Sequence, residues 1–411
     1  MKRGALAVFL LTWLLGCAPE PVELTAAPWR AVVDLPGGEL PFLIRFERDA
    51  QGSLGAVIEN GAERVPVGVV RATADTLSLE FPAFNNTIEL IRDGQRYLGS
   101  LTLIKRGGVE QVMPFTLTPN QSHRFFATEQ DVNADFAGRW AVTFKEDDGT
   151  QIQAVGDFEQ RNGQVTGTFR TPTGDYRFLA GGVRDRTLYL STFDGGHAFL
   201  FTATAQDNGR VVGDFWSGTQ WHESFVAIRN ASARLPDADA LSRVRDDIEQ
   251  LEFTFPDTAG RNVSLSDARF KDKVVVVALA GSWCPNCHDE AAFLAPFYAQ
   301  HRERGLEVVG LMFEHLDDFD LAARQVNLFR EKFDIAYPLL VAGFSDKQAA
   351  TETLGLLDEV IAYPTMIVLD RTGSVRQVHT GFNGPGTGVH YDDFRASFDA
   401  LINELLEEDV S

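Results

Sequence analysis

Hydrophobic and polar residues alternate in short runs along the first half of the chain. Such runs include LPFLIRF, TLSLEF, YLGSLTLI, TLYLSTF and FLFTATA. Turn residues separate them at intervals of roughly 8 to 12 residues, a spacing typical of antiparallel β proteins. Because alternation turns one face of each strand towards a core and the other towards solvent, residues 29–230 are predicted to be β structure throughout.

The β region contains an internal repeat. At a constant offset of 111 residues, the matching pairs are Trp29 and Trp140, Gly52 and Gly163, Leu77 and Leu188, Leu79 and Leu190, and Leu117 and Ile228. We therefore predict two β units, residues 29–120 and 136–230, each of about seven or eight strands. Closed meander barrels or a barrel-like pair of sheets would bury the alternating faces. Neither unit carries a recognisable catalytic motif, so the region is interpreted as a scaffold.

The pattern changes after residues 231–249, a polar stretch rich in Ala and Asp that is predicted to link domains. Beyond it, strands alternate with helices. KVVVVALAG has the composition of a central parallel strand, whereas PNCHDEAAFLAPFYAQHRERG and DDFRASFDALINELLEE have helical patterns. The predicted fold class is therefore multidomain: a duplicated all-β, barrel-like N-terminal region followed by an α/β domain over residues 250–411.

The N-terminus has the pattern of an export signal. Lys2 and Arg3 precede the apolar stretch Ala5–Gly16, which is shorter than the about 20 residues that span a bilayer. The stretch ends in LLGC, which resembles the lipobox of bacterial lipoproteins. This resemblance implies that residues 1–16 are a cleaved signal peptide and that Cys17 is lipidated. An ordinary signal peptide that happens to contain a cysteine is the alternative.

Lipidation would anchor the protein to a membrane without spanning it. Residues 17–28 would then form a tether, and the protein would lie at the periplasmic face of a bacterial membrane. By the same resemblance, Ala18 after the cysteine favours the outer membrane over the inner one.

Charge and cysteine content narrow the function. The formal net charge of −21 disfavours nucleic acids and anionic lipid surfaces, because binding to either requires clustered cations. Apart from Cys17, the sequence contains Cys284 and Cys287 and no other cysteine. Because an exported protein could use its cysteines for structural disulfides and this one has no further cysteines, the pair is expected to have a chemical role.

The pair lies in AGSWCPNCHDE, residues 280–290. Its C-x-x-C spacing suits a dithiol that cycles with a disulfide, but C-x-x-C-H is also the attachment signature of a c-type haem. The apolar strand before it and the helix after it favour the dithiol. Cys284 would begin a helix, where unpaired N–H groups favour a thiolate, and Cys287 would follow one turn later on the same face.

Cofactor alternatives fit this context less well. A haem would need His288 as an axial ligand within a largely helical wrap, but His288 would point away from the face that carries the sulfurs. Zinc would need a fourth ligand in addition to Cys284, Cys287 and His288. We therefore predict no metal and no cofactor other than the redox-active cysteine pair.

Residues 250–411 resemble the thioredoxin-like, membrane-anchored thiol–disulfide oxidoreductases of the TlpA/ResA type. The similar segments are FTFPDTAGRNVSLSD, KDKVVVVALAGSWCPNCHDE, LEVVGLMFE, AYPTMIVLDRTGSV and HTGFNGPGTG. The resemblance implies a thioredoxin fold in which Cys284 is the exposed nucleophile and Cys287 is the resolving thiol. It also implies that Pro364 is a cis-proline that faces the pair.

The same resemblance assigns the neighbours of the pair. Tyr363 and Thr365, on either side of the cis-proline, would contact an extended substrate, and Trp283 would shield the disulfide. Glu290 matches the acid that handles protons near the thiols in this family. Thioredoxin has a buried Asp where this chain has Ala278, so proton transfer to the resolving cysteine would rely on Glu290 or water.

The function expected from this resemblance is an extracytoplasmic thiol–disulfide oxidoreductase, acting as a reductase of protein disulfides. Its partners would be disulfide-containing protein substrates and a membrane-bound thiol electron donor. A thiol-dependent peroxidase of the peroxiredoxin type shares the fold and is the main alternative. That class uses a P-x-x-x-[TS]-x-x-C pattern, and the residues before Cys284 lack its proline.

Overall fold

The computed structural model describes residues 24–248 and 250–408. In chain order these residues form a half-barrel, a closed barrel and an α/β domain. The multidomain fold class expected from the sequence is therefore confirmed. The predicted signal peptide, Cys17 and the first part of the tether lie outside the described residues.

The half-barrel is an antiparallel sheet of nine strands. They are β1 (Trp29–Leu35), β2 (Gly38–Arg48), β3 (Leu54–Asn60), β4 (Glu63–Pro66), β5 (Val69–Ala72), β6 (Thr76–Phe81), β7 (Asn86–Asp93), β8 (Arg96–Lys105) and β9 (Val109–Pro119). The spatial order is β4-β3-β2-β1-β9-β8-β7-β6-β5, so the sheet ends at β4 on one side and at β5 on the other. A 3-10 helix, Pro82–Phe84, joins β6 to β7.

The second unit closes on itself. Its strands are β10 (Gly138–Glu146), β11 (Gln151–Arg161), β12 (Gln164–Thr171), β13 (Gly174–Asp175), β14 (Leu179–Arg184), β15 (Thr187–Phe193), β16 (Ala198–Ala205), β17 (Arg210–Ser217) and β18 (Trp221–Arg229). The order is β11-β10-β18-β17-β16-β15-β14-β12, and β12 pairs again with β11 to close the barrel. The short strand β13 folds back on the end of β12.

Both units place their first strand between their second and last strands, as a duplication predicts. The repeated leucines of β6 and β15 are buried in both units. The predicted equivalence of Leu117 and Ile228 is wrong, because Leu117 is fully buried whereas 48% of Ile228 is exposed. Ala227 faces the core of the barrel instead, since a shift of one residue along a strand reverses the side of the sheet.

The half-barrel completes its core with residues of the barrel. Phe193, Ala198 and Leu200, from β15 and β16, belong to the hydrophobic core of the half-barrel. The ring centroids of Phe42 and Phe193 lie 4.9 Å apart. The Asn60 side chain donates a hydrogen bond of 2.8 Å to the Phe193 carbonyl. The open side of the first unit is thus covered by the second.

The α/β domain follows the predicted order of strands and helices. Its elements are β19 (Thr254–Pro256), β20 (Asn262–Ser264), β21 (Val274–Ala280), α1 (Pro285–His301), β22 (Leu306–Glu314), α2 (Phe319–Phe333), β23 (Leu339–Phe344), α3 (Lys347–Leu354), β24 (Thr365–Leu369), β25 (Val375–Thr380) and α4 (Val389–Glu407). The segment before it is packed rather than loose, because Asp239 lies 2.7 Å from the Nδ1 atom of His379 on β25.

The central sheet has the order β23-β22-β21-β24-β25. Strands β21, β22 and β23 are parallel, while β24 runs antiparallel to β21, and β25 runs antiparallel to β24. All of β21 is buried, as its continuous apolar sequence predicts. This is the thioredoxin-like arrangement, and it places the residues after β21 at the carboxyl edge of the sheet.

Across residues 24–248 and 250–408, no helix has both the length and the apolar character needed to cross a membrane.

Candidate active site

Cys284 lies at the junction between strand β21 and helix α1. It is the N-cap residue of α1, and its Sγ atom accepts a hydrogen bond of 3.3 Å from the backbone N–H of Cys287. Pro285 is the first residue of the helix, a position that tolerates a missing N–H. The unpaired N–H groups at the start of the helix therefore stabilise negative charge on a sulfur at this position. The predicted succession of strand, C-x-x-C motif and helix is present.

The loop before β24 lies against the same sulfur. The Tyr363–Pro364 peptide bond is cis, and the Cys284 thiol donates a hydrogen bond of 3.4 Å to the Tyr363 carbonyl. Thr365 is fully buried and its hydroxyl donates to the Ala362 carbonyl at 2.9 Å. Tyr363 thus contacts Cys284, whereas the Thr365 side chain is bonded within the fold and does not line the cavity beside the thiol.

Trp283 packs beside the pair. Its indole N–H donates to the Phe313 carbonyl at 2.8 Å, and its ring stacks on His315 at a centroid distance of 4.3 Å. It also makes an edge contact with Tyr363, with the centroids 5.8 Å apart. These contacts hold the indole close to Cys284, and both residues line the same cavity, while the shielding role of Trp283 stays a prediction.

Cys287 and Glu290 lie one turn apart on α1, and both are buried. Burial raises the pKa of Glu290 to about 8. Burial also raises the pKa of Cys287 well above its usual range, and the nearby Cys284 and Glu290 act in the same direction. The Oε1 atom of Glu290 has no hydrogen-bond partner among the described residues. At neutral pH the geometry therefore offers a protonated carboxyl beneath the cysteine pair.

The expectation that Cys284 is exposed is wrong, because only 5% of this residue is exposed. Residues 171–177 of the barrel, which include β13, cover it. Gly174 has a φ of 149°, and a Cβ atom there would lie 1.8 Å from Nδ2 of Asn286. Asp175 accepts a 2.6 Å hydrogen bond from the backbone N–H of Gly384, in the loop between β25 and α4. A barrel turn therefore occupies the face of the thioredoxin-like domain on which the resemblance predicted an exposed cysteine.

Arg177 joins the three parts of the protein at this turn. Its guanidinium donates to Glu63 of the half-barrel at 2.6 Å and to Asp289 of α1 at 2.6 Å. It also reaches the Pro285 carbonyl at 3.2 Å and Asp194 of the barrel at 3.3 Å. Burial lowers the pKa of Arg177, but the three carboxylates outweigh it and raise that pKa well above its usual value. The charge is thus held by partners from all three units.

His288 is a buried contact between α1 and the half-barrel. Its ring stacks on Phe84, with the centroids 4.0 Å apart and the planes 4° from parallel. Nε2 lies 2.6 Å from the Ser282 carbonyl and Nδ1 lies 2.9 Å from the Lys332 ammonium. Burial and Lys332 hold the pKa of His288 well below its usual value, so the neutral ring donates through Nε2 and accepts through Nδ1. Both ring nitrogens are therefore engaged in hydrogen bonds within the fold.

Sequence reasoning missed several residues around the pair. Glu314 is buried at the end of β22, where its carboxylate accepts from the Ser282 N–H at 3.0 Å and from the Ser282 hydroxyl at 2.6 Å. A carboxylate that directly follows the apolar run VVGLMF is a signal that could have identified it. Arg177 and Phe84 had no such signal, because their partners lie far away in sequence.

Comparisons with known proteins concern the C-terminal part of the chain. Residues 248–378 match the model of the AhpC/TSA family. The thiol-disulfide oxidoreductase ResA of Bacillus thuringiensis subsp. konkukian is 29% identical over 130 residues, which cover 31% of this chain and 66% of the relative. The thioredoxin-like protein YneN of Bacillus subtilis is 26% identical over 130 residues, which cover 32% of this chain and 68% of YneN.

Solved structures overlap the same region. A thiol:disulfide interchange protein of the thioredoxin family from Chlorobium tepidum is 20% identical, with a TM-score of 0.29, and covers 39% of this chain and 99% of its own. A DsbF homologue from Corynebacterium diphtheriae is 23% identical, with a TM-score of 0.29, and covers 39% of this chain and 92% of its own. The family match, the ResA and YneN relatives and the observed fold together show that the C-terminal part of this chain is a thioredoxin-like domain similar to thiol–disulfide oxidoreductases.

Proposed function

We propose that the protein is an extracytoplasmic thiol–disulfide oxidoreductase that reduces substrate disulfides with the Cys284–Cys287 pair. The observation that supports this most directly is the position of Cys284. Its sulfur begins α1, accepts the N–H of Cys287 and contacts the carbonyl of Tyr363, next to the cis bond of Pro364. The nucleophilic sulfur of Cys284 thus lies next to the residue that carries the resolving thiol. It also lies next to a backbone carbonyl that could accept a hydrogen bond from a substrate.

The first step is attack of the Cys284 thiolate on one sulfur of the substrate disulfide. A bond forms between Cys284 and that sulfur, while the substrate S–S bond breaks and its other sulfur leaves as a thiolate that takes up a proton. The N–H groups at the start of α1 stabilise the attacking thiolate before the bond forms. The product of this step is a mixed disulfide between protein and substrate.

The second step frees the substrate. The Cys287 thiol loses its proton, attacks the Cys284 sulfur and expels the second substrate thiolate, which leaves an oxidised Cys284–Cys287 pair. Two electrons have then moved from the protein dithiol to the substrate. Since its pKa lies near 8, Glu290 is mostly protonated at neutral pH, and only its ionised fraction, which grows as pH rises towards 8, can accept the Cys287 proton directly or through water. A dithiol donor must reduce the pair again before the next cycle.

Location and partners belong to the same proposal. The N-terminal signal pattern and Cys17 support export and a lipid anchor, with the outer membrane favoured by Ala18. The electron donor would then be a membrane-bound thiol protein on the same side. The similarity to relatives named thiol-disulfide oxidoreductases supports disulfide-containing substrates. The sequence patterns support no role for nucleic acid, metal or an added cofactor.

The test is turnover of disulfides by the full chain with dithiothreitol as the reductant. Wild type, Cys284→Ser and Cys287→Ser are compared on insulin and on a small disulfide. We expect both variants to lose at least about 100-fold in rate, because each lacks one partner of the exchange. Reduced Cys287→Ser, mixed with the disulfide after dithiothreitol has been removed, should also accumulate a mixed disulfide that mass spectrometry detects. Equal turnover in all three proteins on both substrates would refute the proposal.

An assay with peroxide distinguishes the proposed disulfide reductase from the main alternative, a thiol-dependent peroxidase. Hydrogen peroxide replaces the disulfide, and its consumption is followed with the same reductant and variants. A reductase of disulfides should consume peroxide slowly, while a peroxidase should consume it rapidly. Rapid consumption that survives in Cys287→Ser but not in Cys284→Ser would favour a one-cysteine peroxidase over the proposed function.

A further inference from the structure

The reactive sulfur is reached through a cavity between the barrel and the thioredoxin-like domain. The cavity has a volume of about 320 Å³. Its barrel side includes Thr173, Tyr176, His197 and Phe199, and its other side includes Cys284. This volume is near the lower end of the about 300–1,000 Å³ that small-molecule sites occupy in proteins. Cys284 is otherwise buried, so a disulfide must enter this space to be attacked.

Opening the interface to admit a folded protein would be costly. Separation of the barrel from α1 would break the pairs of Arg177 with Asp289 and with the Pro285 carbonyl. Separation of the half-barrel would uncover Phe84 and His288, which are buried against each other. These largely buried ion pairs and the ring contact would have to be exchanged for contacts with water before the interface could open. The closed arrangement is therefore the state in which a substrate meets the thiol.

The lining of the cavity describes the ligand. The aromatic rings of Tyr176, Phe199, Trp283 and Tyr363 provide apolar walls. Two buried polar atoms of lining residues have no partner among the described residues, namely Nδ1 of His197 and the hydroxyl of Tyr363. Burial lowers the pKa of His197 to about 4, so this ring is neutral and can accept or donate a hydrogen bond. The site thus suits a compact molecule with a few polar groups.

The charged residues that line the cavity favour a ligand with an anionic group. Arg177 lines it, but three carboxylates already pair with its guanidinium. Lys347, the first residue of α3, lines the cavity on the thioredoxin-like side and forms no salt bridge with any described residue. Its ammonium is therefore the cation that an entering anionic group can pair with.

We propose that the substrate is a low-molecular-weight disulfide that carries a carboxylate, and that the β region selects it by narrowing access to Cys284. This inference rests on the proposed function and assigns its substrate class. The disulfide enters between the aromatic walls, its carboxylate pairs with Lys347, and Cys284 attacks as in the exchange above. The matching thiol leaves through the same opening.

The experiment compares four disulfides with the full chain and dithiothreitol. They are 3,3′-dithiodipropionate, neutral bis(2-hydroxyethyl) disulfide, cationic cystamine and insulin. We expect kcat/KM per disulfide to be highest for the dicarboxylate, and at least about tenfold lower for insulin. Lys347→Gln should reduce the preference for the dicarboxylate over the neutral disulfide by about threefold, the size of a solvent-accessible ion pair.

A second pair of variants tests the cavity itself. Thr173→Trp places an indole in the space, and Thr150→Trp is the matched control, because Thr150 is exposed in the turn between β10 and β11 and does not line the cavity. Thr173→Trp should lower small-disulfide turnover by about tenfold, while Thr150→Trp should stay within about twofold of wild type. Circular dichroism and thermal unfolding verify folding. In the Cys287→Ser background, alkylation of Cys284 by iodoacetamide should be slowed by Thr173→Trp and not by Thr150→Trp.

The outcomes separate the inference from the proposed function. Faster turnover of insulin than of every small disulfide, unchanged in Thr173→Trp, would overturn the inference and leave the oxidoreductase proposal standing. Equal rates for anionic, neutral and cationic disulfides would remove the carboxylate preference. Cysteine-independent turnover of all four substrates would refute the proposed function and this inference with it.

Discussion

The half-barrel and the barrel share a strand order but contact the active-site helix in different ways. The barrel closes through β11 and β12, and the turn that carries Arg177 lies over the cysteine pair. The half-barrel does not close, borrows Phe193 and Leu200 from its neighbour, and places Phe84 against His288 behind the pair. The comparison shows that only the barrel closes its own sheet, and that residues of the barrel complete the core of the half-barrel. Each unit also covers one side of α1.

The two contacts also differ in physical kind. The barrel contact is electrostatic, because the guanidinium of Arg177 pairs with Asp289 and Glu63. The half-barrel contact is aromatic, with Lys332 placed 4.9 Å from the centroid of the Phe84 ring. A largely buried charge that loses its partners costs more than a lost ring stack. The barrel contact should therefore dominate the stability of the closed arrangement.

The largest effect should come from Arg177→Met, which removes the barrel contact. The variant leaves Glu63, Asp194 and Asp289 buried without their cation, so the free energy of unfolding should fall by about 3–5 kcal/mol. Urea unfolding measures this. Arg161→Met is the matched control, because its pair with Glu159 is exposed and should contribute less than about 1 kcal/mol. Equal losses in both variants would contradict the assigned role of Arg177.

Glu290→Gln tests the raised pKa of the Glu290 carboxyl, and whether that pKa depends on the contact between the thioredoxin-like domain and the half-barrel. The pKa of this carboxyl is about 8 in the folded chain, against a usual value of 4.5. Between these pH values the folded state binds one more proton than the unfolded state, so its stability falls as pH rises. Wild type should lose about 1.4 kcal/mol per pH unit relative to Glu290→Gln over this window, and the difference should level off above pH 8.

Urea unfolding at pH 4, 5, 6, 7, 8 and 9 gives the measurement for this carboxyl. The same pH-dependent difference in stability should be found between Phe84→Leu and the double variant Phe84→Leu/Glu290→Gln, because Glu290 is not part of the half-barrel contact. A difference between wild type and Glu290→Gln that does not change with pH would show that the carboxyl ionises in its ordinary range.

The smallest effect should come from Phe84→Leu. Leucine keeps most of the apolar contact but removes the stack on His288 and the cation–π contact with Lys332. We expect a loss of about 1 kcal/mol in the free energy of unfolding. Urea unfolding at pH 7 measures it beside Arg177→Met. A loss as large as that of Arg177→Met would reverse the ranking of the two contacts.

The sequence predicted the thioredoxin-like domain well because its signals are local. A continuous apolar run marks β21, the cysteines follow it directly, and Tyr363–Pro364 precedes a second apolar run. The positions of Trp283, Cys284 and Cys287 followed from these neighbours. Their chemical roles stay predictions until the variants are measured.

The cover over the site could not be predicted in the same way. Alternation of hydrophobic residues predicts strands, but it does not state whether a sheet closes or which neighbour fills its core. The pairing of Arg177 with Asp289 joins residues 112 positions apart in sequence. The burial of Cys284 depends on such contacts, so a motif that implies an exposed nucleophile was misleading here.

The dependence of the half-barrel on Phe193, Ala198 and Leu200 has a consequence for biogenesis. A ribosome delivers the chain from its N-terminus, so strands β1 to β9 emerge before the residues that complete their core. During that interval, the first unit presents an uncovered apolar surface and two unpaired strand edges, features that promote aggregation. The nascent protein therefore needs either fast synthesis of the barrel or a chaperone that holds the open sheet until the barrel arrives.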